Sequence, residues 1–477
     1  MEIFQNKVKA KATCFKAFFE FGKASLAIRK GLIFMMPLVI LYSTELVGIN
    51  MPLPGYQSWL HSHEASFYFT MLNLIVDATI DYFSLLVSFA VAWCYAEQLE
   101  IKNGKRFVAF GATASFLILI NAPYGNLNPR FLSTAGITSA LLAALITTRL
   151  FYYMGKMKMF KTREGENDSF LSKMTASILP IGCILILFAC VSYIVDRLTG
   201  VCLQQLIEIF LNYIFQKFET KRFFSGAFYI LTLHLLWFFG IHGSHVYYEI
   251  NEVFFADFLQ NNIQNVAAGQ EPVEIVNTVF LNCICDLGGA GSTLALVIAI
   301  LLVSKNRNTK SIAKFAFIPS LFNVNEILLF GIPIVFNPAF FLPFVMIPFL
   351  NLCIAYVATA VGFLPVIAQD INWTTPIFLS GYIATGSFSG VLVQLVLLII
   401  DVGIYIPFVK KEDRKILPME NFYEDDLEKI KTMEEKDTES RRLIKSLTNV
   451  FSDVYELDLE TKMLRIIRAG QAAINQK

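Results

Sequence analysis

Apolar stretches long enough to cross a bilayer recur along the first 409 of this chain's 477 residues, and no other feature restricts its fold as much. A helix needs about 20 mostly apolar residues to span the hydrocarbon core, where backbone polar groups must be satisfied internally. Spans are expected near 31–49, 79–96, 107–121, 131–154 and 175–196, and further apolar runs lie near 223–240, 276–304, 338–362 and 388–408. A mean hydropathy of +0.56 and a charged fraction of 16% fit an all-α integral membrane protein rather than a soluble domain. Charge gathers instead beyond residue 409, where 14 basic and 15 acidic residues make up 29 of the chain's 77.

Basic clusters orient the spans. Lysines and arginines crowd the first 30 residues and recur at Lys102, Lys105 and Arg106, at Lys156, Lys158, Lys161 and Arg163, at Lys305 to Lys314, and from Lys410 onward. The positive-inside rule places both termini in the cytoplasm and requires an even number of crossings, about ten. Four regions follow: a cytoplasmic amphipathic lead-in at 1–30, an N-terminal membrane half at 31–222, a C-terminal half at 223–409 and a cytoplasmic tail at 410–477. Residues 203–218 alternate polar and apolar at helical spacing, as a helix lying partly in the interface would.

Three apolar segments are interrupted by Gly, Pro, Asn or Thr: GIHGSH at 240–245, FNVNEILLFGIPIVFNP at 322–338 and WTTPIFLSGYIATGS at 373–387. Backbone that leaves the helix at membrane depth survives only where protein buries it or it lines a wet cavity, so these breaks mark a candidate site for transport. A fourth glycine cluster, DLGGAGST at 286–293, precedes an apolar run.

Glu326, in the second break, is costly in lipid unless it pairs, is protonated or faces a cavity, and Asn323 and Asn325 beside it bring amides that both donate and accept. Carboxylate plus amides suits a hydroxyl-rich ligand. His242 lies between Gly240 and Gly243, where the chain turns easily and an imidazole can bond a hydroxyl or move a proton. His234 falls within a continuous helix and reads as a core histidine. Trp237 and Trp373 flank two breaks and fit a sugar-stacking face or an interfacial belt equally. Glu45, Asp77, Asp81, Asp286 and Asp401 are further acids in apolar surroundings, most of them near span ends.

Several classes of function are excluded. A formal net charge of +1 gives no electrostatic footprint for nucleic acid. Eight cysteines without paired spacing argue against a disulfide framework or a zinc site, and His242 with His245 lacks a third metal ligand. No metal or other cofactor is expected. In the tail, a charged helix is expected at about 424–448, followed by a strand, turn and strand over 454–467, a short α/β element.

These motifs, in this order, resemble those of the EIIC membrane subunit of the bacterial phosphotransferase system, lactose/cellobiose family. WFFGIHG resembles that family's glycine-flanked histidine, FNVNEILLFGIPIVFNPAFFLPF its Asn-Glu segment, and WTTPIFLSGYIATGS its Thr-Thr-Pro segment. The opening AIRKGLIFMMPL and the stretch LGGAGSTLAL are also similar, so the resemblance runs from about residue 20 to residue 415. It implies ten spans with two re-entrant hairpins, a homodimer in the bacterial inner membrane, and a disaccharide site. The family's motif histidine corresponds to His242 and its glutamate to Glu326, with Gly243, Asn323, Asn325, Trp373 and Thr374 as the remaining substrate-binding candidates. In such subunits a cytoplasmic EIIB protein, itself charged by EIIA, passes a phosphoryl group to the C6 hydroxyl of the bound sugar.

Three departures stand out: Ile327 where the family has proline, Glu45 in the first span, and the tail, whose end resembles the start of a PAS-like sensory fold. Two functions compete, a permease that phosphorylates its disaccharide with EIIB and a membrane sugar sensor that signals through the tail. An ion-coupled transporter using Asp77, Asp81 and Asp401 has no motif behind it.

Overall fold

The computed structural model describes residues 22–62, 66–101, 104–121, 127–157, 170–217, 222–248, 250–332 and 334–434. It divides into two compact units, Met1–Lys411 and Glu412–Lys477. Among the described residues every regular element is helical.

The first unit begins with α1 (Lys23–Phe34) and α2 (Met36–Ile49), which meet at 51° and together form one bent membrane-length pair. The expected span at 31–49 therefore starts about two turns earlier, inside the region assigned to the lead-in. Pro37 sets the break: it sits in the first turn of α2, where its missing N–H costs nothing. After α3 (Pro54–Leu60), a second bent pair joins α4 (Ser66–Val76), a π-helical turn at Asp77–Asp81, and α5 (Phe83–Gln98), with 45° between the helices. Asp77 and Asp81 thus bound the turn at the break of this pair.

α6 (Lys105–Ile120), α7 (Ile137–Met154) and α8 (Phe170–Thr199) complete the first half, with α5, α6 and α7 packed on one another. Small residues along their contacts, among them Ala92, Ala109, Ala112, Ala140 and Ala144, are wholly enclosed, which lets the helices approach closely. α9 (Leu203–Gln216) is the amphipathic helix expected at 203–218.

In the second half, α10 (Arg222–Phe238) packs against α16 (Pro338–Ala360). Between them the chain is repeatedly broken. It runs through α11 (Gly243–Val246), a π-helical turn at Ile250–Phe255, α12 (Ala256–Ala267), another π-helical turn at Phe280–Cys285, α13 (Thr293–Val303), α14 (Arg307–Leu321) and α15 (Glu326–Gly331). The run at 276–304 is accordingly not one span; only Thr293–Val303 is a continuous apolar helix. Asn306 and Asn337 cap α14 and α16, accepting from the N–H groups of Thr309 at 2.7 Å and Ala339 at 3.0 Å. α17 (Leu379–Thr385) and α18 (Phe388–Glu434) close the described chain.

Among the described residues four helices, Thr134–Met154 (counting the 3-10 turn before α7), Met174–Thr199, Pro338–Ala360 and Phe388–Arg414, are long and apolar enough to cross a membrane, or up to six elements if each bent pair is one span. Both bent pairs fall in the first half and not at the three interrupted motifs. Arg222–Phe238 and Thr293–Val303 are shorter apolar helices. The backbone helix of α18 reaches Glu434, covering the start of the expected tail helix; its remainder and the α/β element at 454–467 lie outside the described residues.

Candidate functional site

All the interrupted segments meet around α15. Residues 334–336 lie against the histidine turn: the Phe336 N–H donates to Phe238 O at 3.0 Å, and Gly240, in the left-handed region at φ +74°, faces Val335. Ile377 N–H donates to Leu321 O at 3.0 Å, tying the Thr-Thr-Pro segment to the other end of the Asn-Glu segment. Loop 286–293 completes the enclosure, because Gly288 N–H donates to Asn323 Oδ1 at 3.0 Å.

Glu326 opens α15 and is only 8% exposed. Backbone N–H groups of Asn325 and of Glu326 itself reach its carboxylate, the favourable electrostatics of a helix N-terminus. Its Oε2 nonetheless has no hydrogen-bond partner. Ile327 follows in the first turn, where an N–H has no intrahelical acceptor, so isoleucine and proline differ little there in hydrogen bonding. Phe330 of the same helix stacks on Phe83 of α5 at 5.4 Å, which fixes α15 to the first half.

His242 caps α11: its Nδ1 accepts from the His245 N–H at 3.3 Å, and its ring lies 4.1 Å from both the Trp237 and the His245 rings. Trp237 is buried with its Nε1–H unpartnered. His242 and Glu326 are brought onto neighbouring segments but share no hydrogen bond or ion pair. Gly243 is required by contact, since a Cβ there would stand 2.6 Å from Leu233 O.

The amides are spent on the protein. Asn323, itself in the left-handed region at φ +61°, accepts from Gly288 and donates to Trp373 O at 2.6 Å; Asn325 Nδ2 donates to Ala290 O and Thr293 Oγ1, both at 3.0 Å. Thr374 is buried, and its N–H and hydroxyl both donate to Asn372 Oδ1, at 3.0 and 2.9 Å. Trp373 keeps 45% of its surface exposed, leaving its ring free as a platform. His234 is a satisfied core residue, bonded to Ile230 O and, at 2.9 Å, to Asp286 Oδ1.

Sequence reasoning missed three supports. Gln394 on α18 accepts from Phe378 N–H at 2.7 Å and donates to Cys283 O and Ser380 Oγ at 2.8 and 3.0 Å, which holds α17 against the π-turn; an amide inside an apolar run was its only signal. Arg130 donates to His245 O at 2.7 Å and lies over the Tyr248 ring, reaching the histidine turn from the first half. Tyr42 of α2 stands within electrostatic reach of both Glu326 and Asp81, and Glu45 three residues on was the one residue that marked its neighbourhood. Among the described residues no group of His, Cys, Asp and Glu could hold a metal ion.

Chemically, the site leaves an acceptor on Glu326 and a donor on Trp237 unserved, on segments stitched together by the Phe336–Phe238 hydrogen bond. Residues 29–348 match the family described as "Phosphotransferase system, EIIC". The chain is 27% identical over 425 residues to the lichenan permease IIC component of Bacillus subtilis, covering 85% of this chain and 92% of that protein. It is also 27% identical over 415 residues to the cellobiose-specific EIIC component of Geobacillus stearothermophilus, covering 82% and 90%. The crystal structure of the IIC component of an N,N'-diacetylchitobiose-specific phosphotransferase system is similar at 24% identity and a TM-score of 0.47, covering 88% of this chain and 99% of that one.

Proposed function

Because the chain belongs to the EIIC family of the phosphotransferase system, and is thus a multi-pass membrane component of sugar transport, we propose that it binds and translocates a disaccharide such as cellobiose, chitobiose or lactose while EIIB phosphorylates it. The observation that carries this reading is Glu326, enclosed at the start of α15 where the broken segments meet, with its Oε2 unserved. A sugar hydroxyl can donate to that oxygen. The exposed face of Trp373 offers stacking area for a ring.

In the proposed reaction the phosphoryl group leaves phosphorylated EIIB, its bond to the EIIB side chain breaks, and a P–O bond forms to the C6 oxygen. The hydroxyl proton passes to Glu326, with His242 on the neighbouring segment as an alternative acceptor. Such transfer needs mainly alignment and charge management, which a carboxylate held on a helix N-terminus supplies. Asn323, Asn325, Gly243 and Thr374 shape the walls from which Glu326, His242 and Trp373 reach the sugar. The assembly is a homodimer of ten-span subunits in the bacterial inner membrane, its two re-entrant hairpins at the histidine and Asn-Glu segments and both termini cytoplasmic, served by EIIB and through it by EIIA.

The test is phosphoenolpyruvate-dependent formation of phosphorylated cellobiose in vesicles supplied with the general phosphotransfer proteins and a cognate EIIB. Wild type yields product and Glu326→Gln yields none. Sugar binding without product in the wild type overturns the permease reading. It would favour the sensor reading, to which one observation leans: α18 runs unbroken from Phe388 to Glu434, well past its membrane-length segment.

A further inference from the structure

Loop 286–293 grips the Asn-Glu segment on one side and, on the other, a buried cluster that is short of hydrogen-bond donors. Toward the sugar site it holds Asn323 and Asn325 through Gly288, Ala290 and Thr293. Behind it, Asn351 Nδ2 of α16 lies 3.1 Å from Cys285 O, 3.0 Å from Ser292 Oγ and 2.9 Å from Asp401 Oδ2 of α18. Asn351, Ser292 and Asp401 are all completely buried. The loop is held in a demanding shape, with Gly288, Gly289, Gly291 and Ser292 all at positive φ.

The donor inventory is small. Ser292 O–H donates to Cys285 O at 3.2 Å, and the two N–H bonds of Asn351 serve Ser292 Oγ and Asp401 Oδ2. Reversing the Asn351 amide would set its oxygen against the Cys285 carbonyl and the Asp401 carboxylate. Two atoms remain without a partner, Asn351 Oδ1 and Asp401 Oδ1, and they are the second atoms of the very pair already joined at 2.9 Å. An ionised Asp401 would be a fully enclosed charge with one oxygen unserved, an expensive state at membrane depth.

Besides Asn351, only Ser292 among its neighbours reaches the Asp401 carboxylate, and its single hydroxyl proton is shared with Cys285 O; the others bring no donor. Asp286, within electrostatic reach, is itself an acid and is bonded to His234 of α10; Tyr405, one turn along α18, gives its hydroxyl to Gly291 O at 2.6 Å; Cys285 contributes a carbonyl. No lysine or arginine among the described residues is paired with Asp401.

We propose that Asp401 is a proton-binding site: its Oδ1 carries a proton donated to Asn351 Oδ1, which closes a cyclic acid–amide pair. The pair anchors loop 286–293, so Asp401 acts as a positioning residue for Asn323, Asn325 and Glu326, and the proton is linked to sugar affinity. The linkage rests on the reading that the Glu326 segment binds sugar. The sign follows from the geometry: affinity is full while Asp401 is neutral and falls as rising pH ionises it.

The test uses the full chain in detergent or nanodiscs. Infrared difference spectra between wild type and Asp401→Asn show a protonated-carboxyl carbonyl band in the wild type at neutral pH, independent of sugar. Cellobiose affinity of the wild type falls about tenfold or more at alkaline pH, whereas D401N, whose amide reproduces the pair, binds at neutral pH much as the wild type does and is flat with pH. No carboxyl band assignable to Asp401 overturns the proposal. So does sodium-dependent affinity that D401N abolishes, which would assign a metal cation to the two oxygens. Failure of the sugar-site reading is separable, since it appears as normal sugar binding by E326Q with the Asp401 band intact.

Discussion

Gly243 has no room for a side chain: a methyl group there would press on Leu233 O at 2.6 Å and on Leu233 Cδ1 at 2.9 Å. Gly243→Ala must therefore push α11 away from α10 and carry His242 with it, at a cost of about 1–3 kcal/mol, read as a lower thermal midpoint in detergent. Two adjacent residues separate contact with sugar from support of the fold. Trp373→Ala removes a largely exposed ring, so stability stays within about 0.5 kcal/mol while disaccharide affinity falls about tenfold, near the upper end of what one aromatic contact supplies. Thr374→Val removes the hydroxyl that donates to Asn372 and should cost about 1 kcal/mol of stability with sugar affinity unchanged. Calorimetric titration with cellobiose, run beside melting curves, distinguishes the two; equal loss of affinity in both variants would put Thr374 in contact with the sugar. Glu326 and His242 stood out in the sequence as candidates because a carboxylate and a glycine-flanked imidazole are conspicuous in apolar surroundings. Asn323 and Asn325 were conspicuous too, yet their partners, Gly288, Ala290, Thr293 and Trp373, lie 32 to 50 residues away, and no local pattern announces such a pairing.

Long, unbroken apolar helices were the easily read elements. Those near 131–154, 175–196 and 338–362 stand within a few residues of where periodicity and apolar length put them. The breaks were harder. A π-helical turn such as Phe280–Cys285 carries no residue that composition distinguishes from an α-helix, so the glycine cluster at 286–293 was the one sign within the apolar run at 276–304 that the chain turns, as it does four times at positive φ before α13. What holds those turns in place is polar. Gln394 occupies the junction of α18, α17 and the π-turn with three hydrogen bonds and is wholly buried. Replacing it by leucine keeps the volume but strands Phe378 N–H and Cys283 O, so Gln394→Leu should lose about 2–4 kcal/mol, the penalty of two unserved buried groups. The loss should concentrate locally: hydrogen exchange rises first in residues 376–385 and 280–286, and uniform acceleration across α6 and α7 would contradict the assignment.

At the scale of the whole molecule, the chain separates into a membrane unit ending at Lys411 and a second unit from Glu412, a boundary close to the composition shift at residue 410. Every group placed in the candidate site, from Trp237 to Gln394, belongs to the first unit, and so does the Asn351–Asp401 pair behind it. Sugar recognition should therefore survive removal of the tail. A chain truncated after Arg414 keeps the whole membrane-length part of α18, Phe388–Arg414, and should bind cellobiose within about twofold of the full protein, a difference under about 0.5 kcal/mol. The same truncation separates the two functional readings. A permease whose tail is accessory still forms phosphorylated sugar with EIIB in vesicles, at a rate near that of the full chain. A sensor has no turnover to lose, and its sugar binding is unchanged while any tail-dependent output disappears. Loss of binding itself on truncation would mean that the second unit supports the sugar site.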